Sequence, residues 1–336
     1  LKKAFHHFFT TDTIKWFKER AVELKTEADG RMFPATNSSQ TIIDTLVKEA
    51  NKYGVQILMN AEVKELAKEQ SQFKIKLANN RILNADFICI ASGGYPKSTQ
   101  FDWIKNCGHI IEAPVPSLFT FNMPGNAITS LMGITVDNVA VKIAGTKFLE
   151  QGPLLITHWG MSGPAILKLS AWGARDLKTK NYEFKITVNW IPEFNENTLR
   201  EKMQQVRFNM APQKISNRNP FNLPTRLWEY LMNQSDIAVD TRWADLPAKE
   251  QNKLIKNLCV QEFEIKGKTT FKEEFVTSGG IQLNEIDYNT MQSKKMPGLF
   301  FAGEVINVDA VTGGFNFQNA WTTGWIAAKA VSSLEE

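Results

Sequence analysis

Two glycine-rich segments toward the C-terminal end combine residue types that can hold a ligand. Gly298-Leu299-Phe300-Phe301-Ala302-Gly303-Glu304 reads as a short apolar strand ending on a glycine and a carboxylate. Thr312-Gly313-Gly314-Phe315-Asn316-Phe317-Gln318-Asn319-Ala320 reads as a glycine pair opening a helix. In open α/β sheets ligands bind beyond the C-terminal ends of strands. Gly303 would let the backbone approach a ligand closely, and Glu304 is an acceptor suited to sugar-like hydroxyls. The free N–H groups and positive dipole end of a helix starting at Gly313-Gly314 suit an anionic or electron-rich ligand edge. A plain strand–turn–helix with glycines for tight packing explains the same letters, since short Gly motifs often arise without a ligand.

A second block, Thr157-His158-Trp159-Gly160-Met161-Ser162-Gly163-Pro164, places a histidine in a Gly/Ser/Pro-rich turn. His titrates near neutrality, so His158 is a candidate for orienting substrate or moving a proton. A subdomain corner whose histidine bonds a backbone carbonyl is the equal alternative. Ser162 reads as a cap for a helix at Pro164–Ser170. Asp29-Gly30-Arg31 reads as a turn entering a strand, with Arg31 in a structural ion pair rather than on a substrate anion. His6, His7 and His109 show no metal-ligand spacing with carboxylates or cysteines, so no metal is expected.

The elements that must carry these residues follow from periodicity. Ser38-Ser39 caps a helix with apolar Ile42, Ile43, Leu46, Val47 and Ala50, and Gly54 ends it. Val55–Met59 reads as a short strand, Phe73, Ile75 and Leu77 as an arm of a β-meander turning at Asn79-Asn80. Phe87-Ile88-Cys89-Ile90-Ala91 reads as a buried strand that stops at Ser92-Gly93-Gly94. Residues 113–193 alternate in the manner of strands, 194–260 turn helical, and strands return at Phe263–Ile265 and Phe271–Val276. A helix closes the chain from about Asn316 to Val331. The fold class expected is α/β: a layered domain split in sequence, interrupted by a β-rich subdomain that carries a helical one. The boundaries are 1–112 with 272–336 for the α/β part, 113–193 with 261–271 for the β-rich part, and 194–260 for the helical part.

Composition excludes several classes. With 336 residues, 43% hydrophobic and 22% charged, the chain can bury a sizeable core and is not disordered. Lys+Arg 39 against Asp+Glu 35 leaves a formal charge of +4, with signs interleaved, so no nucleic-acid footprint is expected. No apolar run approaches the roughly 20 residues of a membrane span. Cys89, Cys107 and Cys259 lie far apart with no CxxC pair, which points to a reduced, cytoplasmic protein and away from a dithiol relay. Cys89, inside its apolar strand, should behave as a small buried hydrophobe.

Four ordered blocks carry a family resemblance. They are Asp29-Gly30-Arg31-Met32-Phe33-Pro34, Ala91-Ser92-Gly93-Gly94, Thr157–Pro164, and Thr277-Ser278-Gly279-Gly280 running through Glu285-Ile286-Asp287 and Thr290-Met291-Gln292-Ser293-Lys294 to Gly303-Glu304 and Gly313-Gly314. Together the chain resembles the HI0933/BaiN-like flavoproteins. One departure is that no N-terminal Gly-x-Gly-x-x-Gly follows a first strand. With Leu1 in place of Met, that leads to the expectation of a missing N-terminal unit and of weak FAD retention by the chain as it stands.

The resemblance implies a Rossmann-like FAD-binding fold with inserted β-barrel-like and helical subdomains, redox chemistry by flavin, and NAD(P)H as electron donor. It also implies that the backbone of Val63 touches the adenine end and that Ala91, Ser92, Gly93 and Gly94 lie near the dinucleotide. Gly303, Glu304, Gly313, Gly314, Asn316 and Phe317 would surround the ribityl chain and flavin ring, Asn316 and Phe317 through backbone N–H groups. The function this implies is hydride transfer between NAD(P)H, FAD and a small organic acceptor, with no nucleic acid or membrane as partner. The rival reading is a cofactor-free binding or scaffold protein that keeps the flavoprotein shell without catalysis.

Overall fold

The computed structural model describes residues 3–28, 30–269, 276–311 and 313–334. Asp29, Thr312 and most of the expected strand Phe271–Val276 lie outside the described residues. The chain forms two compact units, one from 1–115 with 276–336 and one from 116–275.

The first unit begins with helix α1 (Thr10–Lys18), the hairpin β1 (Leu24–Thr26) and β2 (Met32–Pro34), and helix α2 (Gln40–Lys52). Ser38 Oγ accepts the Gln40 N–H at 3.3 Å, and Gly54 at φ +70° ends the helix as the sequence predicts. The apolar side of α2 has no buried residue. Val55–Met59, expected as a strand, is exposed irregular chain, because no strand among the described residues offers it a hydrogen-bonded ladder. Strands β3 (Val63–Glu69), β4 (Gln72–Leu77) and β5 (Ile82–Ala85) form the predicted antiparallel meander. Phe73 and Leu77 alternate inward and are buried.

Strand β6 (Ile88–Ile90), the short helix α3 (Asp102–Lys105) and strand β7 (Ile111–Ser117) lead out of this unit. The sequence expectation of a fully buried β6 is corrected: Ile90 is buried but Cys89 is exposed. The apolar run faces a cleft of about 450 Å³ lined by Phe87, Cys89, Gly324 and Ala327, so only one of its faces is packed.

The second unit is built on a six-stranded sheet of β8 (Phe121–Asn122), β9 (Thr135–Ile143), β10 (Leu149–Ile156), β11 (Gly160–Ser162), β12 (Glu183–Asn189) and β13 (Gln261–Lys266). Their order is β13-β12-β9-β10-β11-β8. An isolated bridge, Phe121 to Lys268, brings the two ends together, so the sheet is nearly a closed barrel. Helices α4 (Pro164–Trp172), α5 (Ala174–Thr179), α6 (Glu196–Asn209), α7 (Thr225–Gln234) and α8 (Ala248–Cys259) complete it. The predicted helical segment shares one continuous core with the barrel, with Trp190, Leu199, Trp228, Leu254 and Ile186 in the same cluster. Ser162, expected to cap α4, lies in β11; Gly163 at φ +96° stands at the cap position, with no side-chain bond.

Strands β14 (Val276–Ile281) and β15 (Leu299–Phe301) and helix α9 (Phe315–Ser332) return the chain to the first unit. β15 pairs parallel with β6, Phe300 opposite Cys89 and Phe301 opposite Ile90. Their shared core includes Ile90, Ile281, Phe300, Phe301 and Ile326. Among the described residues no helix is long and apolar enough to cross a membrane.

Candidate functional site

The parallel pairing of β6 and β15 decides which loops meet. Because both strands run the same way, their C-terminal ends deliver Ala91–Gly94 and Ala302–Glu304 side by side. Ala302 N–H donates to the Ile90 carbonyl at 3.0 Å, extending the ladder to the edge of the site. The Gly94 backbone lies beside the Glu304 side chain. Burial strips hydration from the Glu304 carboxylate and raises its pKa, the neighbouring Asp309 charge pushes the same way, and the nearby Gly94 backbone N–H opposes both.

Helix α9 holds the other side. A short 3-10 turn spans Gly303–Val305, and Gly303 N–H donates to Thr323 Oγ1 at 2.9 Å. A Cβ on Gly303 would stand 3.5 Å from that of Ala320, an ordinary contact, but φ is +74°, a left-handed conformation that favours glycine. Gly314, also left-handed at φ +96°, is the N-cap of α9, and among the described residues no side chain caps the helix. The first internal bond of the helix is Gln318 N–H to the Gly314 carbonyl, so the N–H groups of Phe315, Asn316 and Phe317 point out of it. The Asn316 side chain grips both backbone groups of Ala310, at 3.2 and 3.3 Å, and fixes the preceding loop. Phe317 is 70% exposed and stacks on Trp321 with ring centres 6.0 Å apart.

Val63, at the start of β3, lines a cavity of about 750 Å³ together with Ala91, Ser92, Tyr95 and Trp103. The first unit therefore brings most of its sequence-predicted residues into two sets: Val63 with Ala91 and Ser92, and Gly94 with Gly303 and Glu304, the latter set against α9. His158 belongs to the second unit. It sits exposed in the turn between β10 and β11, its ring edge-on to Trp159 at 4.4 Å. Trp159 in turn donates its indole N–H to Thr120 Oγ1 at 3.0 Å. Arg31 lies over the Phe33 ring, 5.7 Å from its centre.

These residues fit the sugar and ring portions of FAD. A Cβ added at Gly93, Gly313 or Gly314 would meet nothing within 4 Å, so those backbones border open space that a ligand can fill. Uncapped N–H groups beside that space suit an edge that gains negative charge. Glu304 would supply an acceptor for hydroxyls, and the buried Asn319 Oδ1 has no hydrogen-bond partner among the described residues.

Two groups of residues escaped the sequence reading. Thr13 Oγ1 donates to Gln318 Oε1 at 3.0 Å, Gln318 Nε2 to Thr322 Oγ1 at 3.1 Å, and Thr322 Oγ1 to the Phe8 carbonyl at 2.7 Å, which ties α1 to α9. Polar Gln318 and Thr322 at helical i, i+4 spacing were the available signal. The second group lies behind β15. His109 Nδ1 lies 3.0 Å from Glu285 Oε2 and Nε2 3.1 Å from Ser293 Oγ, with its ring edge-on to Phe301. Lys295 Nζ reaches Glu285 Oε1 at 2.6 Å and Ile110 N–H donates to Oε2 at 2.9 Å. Ser293 Oγ also accepts the backbone N–H groups of Lys295 and Met296, at 3.0 and 2.9 Å. This Glu–His–Ser arrangement has the partners of a catalytic triad, but all three side chains are buried and the hydroxyl is fully engaged. Its role is to pin the 285–296 loop to β15.

The cysteines are set against redox work. Burial raises all three thiols, Cys89 to about 11 and Cys259 to about 12, and for Cys259 the charges of Glu196 and Glu193 add to it. Cys89 is open to the cleft beside α9, yet the apolar atoms around it disfavour the thiolate. Cys89→Ala should leave the rates of flavin reduction and reoxidation unchanged. A stopped-flow record showing a lost phase in that variant would contradict this reading.

A family model described as the HI0933-like protein Rossmann domain matches residues 1–330. The ribosomal RNA dihydrouridine synthase of Escherichia coli is 30% identical over 341 residues, spanning 98% of this chain and 80% of that protein. The ribosomal RNA dihydrouridine synthase of Haemophilus influenzae is 27% identical, over 99% of this chain and 82% of that one. The 3-dehydro-bile acid delta(4,6)-reductase of Clostridium scindens is 23% identical, over 96% and 80%.

Proposed function

The chain belongs to the HI0933-like family of FAD-dependent oxidoreductases, and from that premise we propose that it passes hydride from NAD(P)H through FAD to an activated carbon–carbon double bond. The observation that carries the proposal is the meeting of Ala91–Gly94 and Gly303–Glu304 at the ends of two parallel strands, with α9 packed against the second of them. When bound, FAD supplies the two-electron chemistry. Glu304 would accept hydrogen bonds from its ribityl hydroxyls. The N–H groups of Phe315, Asn316 and Phe317 would stabilise the charge gained on reduction, an electrostatic contribution already in place before reaction. Val63, Ala91 and Ser92 would line the adenine end. His158 is the candidate proton donor, since saturating a double bond needs a proton as well as a hydride.

The acceptor class rests on the relatives. Dihydrouridine is uridine with its ring double bond saturated, and the delta(4,6)-reductase is named for the steroid double bonds it reduces. A small organic acceptor of this kind is the first reading. A uracil ring carried in ribosomal RNA is the second, favoured by 30% identity along 98% of the chain. Supplying NADPH, FAD and either ribosomal RNA or small conjugated enones, and following NADPH oxidation with dihydrouridine content, separates the two.

Glu304→Ala tests the cofactor assignment. A carboxylate–hydroxyl bond is worth roughly 1.5–3 kcal/mol, so FAD affinity should fall about ten- to a hundredfold. Titration of the apoprotein with FAD, followed by flavin fluorescence, measures it. Equal affinity in the variant and the parent would remove Glu304 from the site, and no binding by the parent would favour the scaffold reading.

A further inference from the structure

We propose that the surface between the end of α6 and the start of α7, with the segment paired to it, binds the phosphodiester backbone of single-stranded RNA. The proposal rests on the ribosomal-RNA reading above, and it departs from the expectation drawn from overall charge. Lys214 and Arg242 stand directly opposite each other across an antiparallel bridge. Ile215 N–H donates to the Thr241 carbonyl at 3.0 Å and Trp243 N–H to the Gln213 carbonyl at 3.0 Å, one on each side of the pair. That pattern defines the narrow kind of pair, in which Cα atoms approach to about 4.5 Å and side chains are closest. Both side chains are exposed, and among the described residues neither makes an ion pair or a side-chain hydrogen bond. Asp240 and Asp245, exposed on the same segment, do not pair with Arg242.

Like charges placed opposite one another repel. The fold thus holds two cations together at a cost that a bound anion removes. The base beneath them is firm. Trp228 and Trp243 are fully buried, and the Trp228 indole N–H donates to the Ile215 carbonyl at 2.9 Å. Arg218, exposed at the end of the short helical turn Ile215–Asn217, adds a third cation without an ion-pair partner among the described residues.

An exposed aromatic ring lies next in sequence to a residue bonded to the same segment. Phe208 is 86% exposed near the end of α6. Its neighbour Arg207 donates to the Ala244 carbonyl at 3.0 Å, and Ala244 N–H donates to the Ala211 carbonyl at 3.1 Å. The end of α6 is therefore bonded to the segment that carries Arg242. Cations that track a backbone beside a ring that can stack a base are the combination used to hold single-stranded nucleic acid. An isolated phosphate would use the cations and leave the ring idle.

The test is fluorescence anisotropy of a fluorescein-labelled, uridine-rich single-stranded RNA with the full chain across a KCl series. The parent should bind with log affinity falling linearly against log salt. Lys214→Ala combined with Arg242→Ala should flatten that slope by about 1.4, at roughly 0.7 for each phosphate no longer neutralised. Phe208→Ala should weaken binding about tenfold at every salt concentration with the slope unchanged. RNA binding by the parent that all three substitutions leave intact would overturn this surface while sparing the RNA reading. No binding by the parent would overturn both. Competition by inorganic phosphate with Phe208→Ala silent would reassign the surface to a simple anion and overturn the RNA proposal.

Discussion

Glu285→Ala should destabilise the fold by about 3–5 kcal/mol. The carboxylate is buried and accepts from both the Ile110 N–H and the His109 ring while pairing with Lys295. Truncation leaves two buried donors without acceptors, at roughly 1–3 kcal/mol each, together with a cavity behind Phe301. Lys295 is partly exposed and can turn to water, so its loss adds little. Urea unfolding measures the change, and Glu285→Gln, which keeps an acceptor, should recover about half of it. A loss below about 1 kcal/mol would show that the loop is held by other contacts.

The same network sets a pH dependence. Burial lowers His109 below its ordinary 6.5, with the Lys295 charge adding to the effect and Glu285 opposing it. Burial acts to raise Glu285, but bonds from Lys295, Ile110 and His109 prevail and hold it below 4.5. For both groups the unfolded chain binds more protons than the folded one, so stability rises with pH. The His109 contribution is complete above about 6.5 and is lost as pH falls toward its folded pKa; the Glu285 contribution is lost lower, through its own. Stability should therefore decline from pH 7 to pH 5, and His109→Gln should flatten that limb.

Gly280→Ala should be comparably severe, at about 3–5 kcal/mol, and should also weaken FAD binding. Gly280 has φ +126°, and a Cβ there would lie 2.4 Å from the Val305 carbonyl oxygen and 3.1 Å from Asn307 N. Those atoms are backbone and cannot rotate aside. Relief requires moving the 303–307 turn, which carries Glu304. Gly94→Ala is the control, since its Cβ would make ordinary contacts with Thr277 and Glu304, the nearest at 3.4 Å. Thermal unfolding of the two variants should differ widely. Equal melting temperatures would mean that the turn yields without cost.

The Thr277–Lys294 block that carried the family resemblance has a physical meaning visible only in three dimensions. Gly279 and Gly280 let β14 approach neighbouring backbone on both sides, Glu112–Pro114 for one and Val305 for the other. Glu285 and Ser293 close on His109, 176 and 184 positions earlier in the sequence. Spacing gave no hint of that partner, and His109 looked like an isolated histidine. The Lys214–Arg242 pair is a similar case: overall charge is nearly balanced, and only a bridge places two cations together.

Periodicity and punctuation determined the local elements: the β3–β4–β5 meander, the alternating strands of the second unit, the helical stretch after it, and α9 with its glycine cap. These depend on side-chain alternation and backbone freedom, which are properties of short windows. The turns at Ser92-Gly93-Gly94 and Gly313-Gly314 were legible in the same way, as a strand end and a helix start. Tertiary structure decided the rest. It set one core beneath both barrel and helices, exposed Cys89 on a strand that looked buried, left Val55–Met59 without a ladder, and gave the α4 cap position to Gly163. Burial and strand pairing are relations between distant segments, and a strand is buried on both faces only if something covers both. The apolar letters of β6 are the same whether or not a neighbour is there, so its true exposure could come only from the fold.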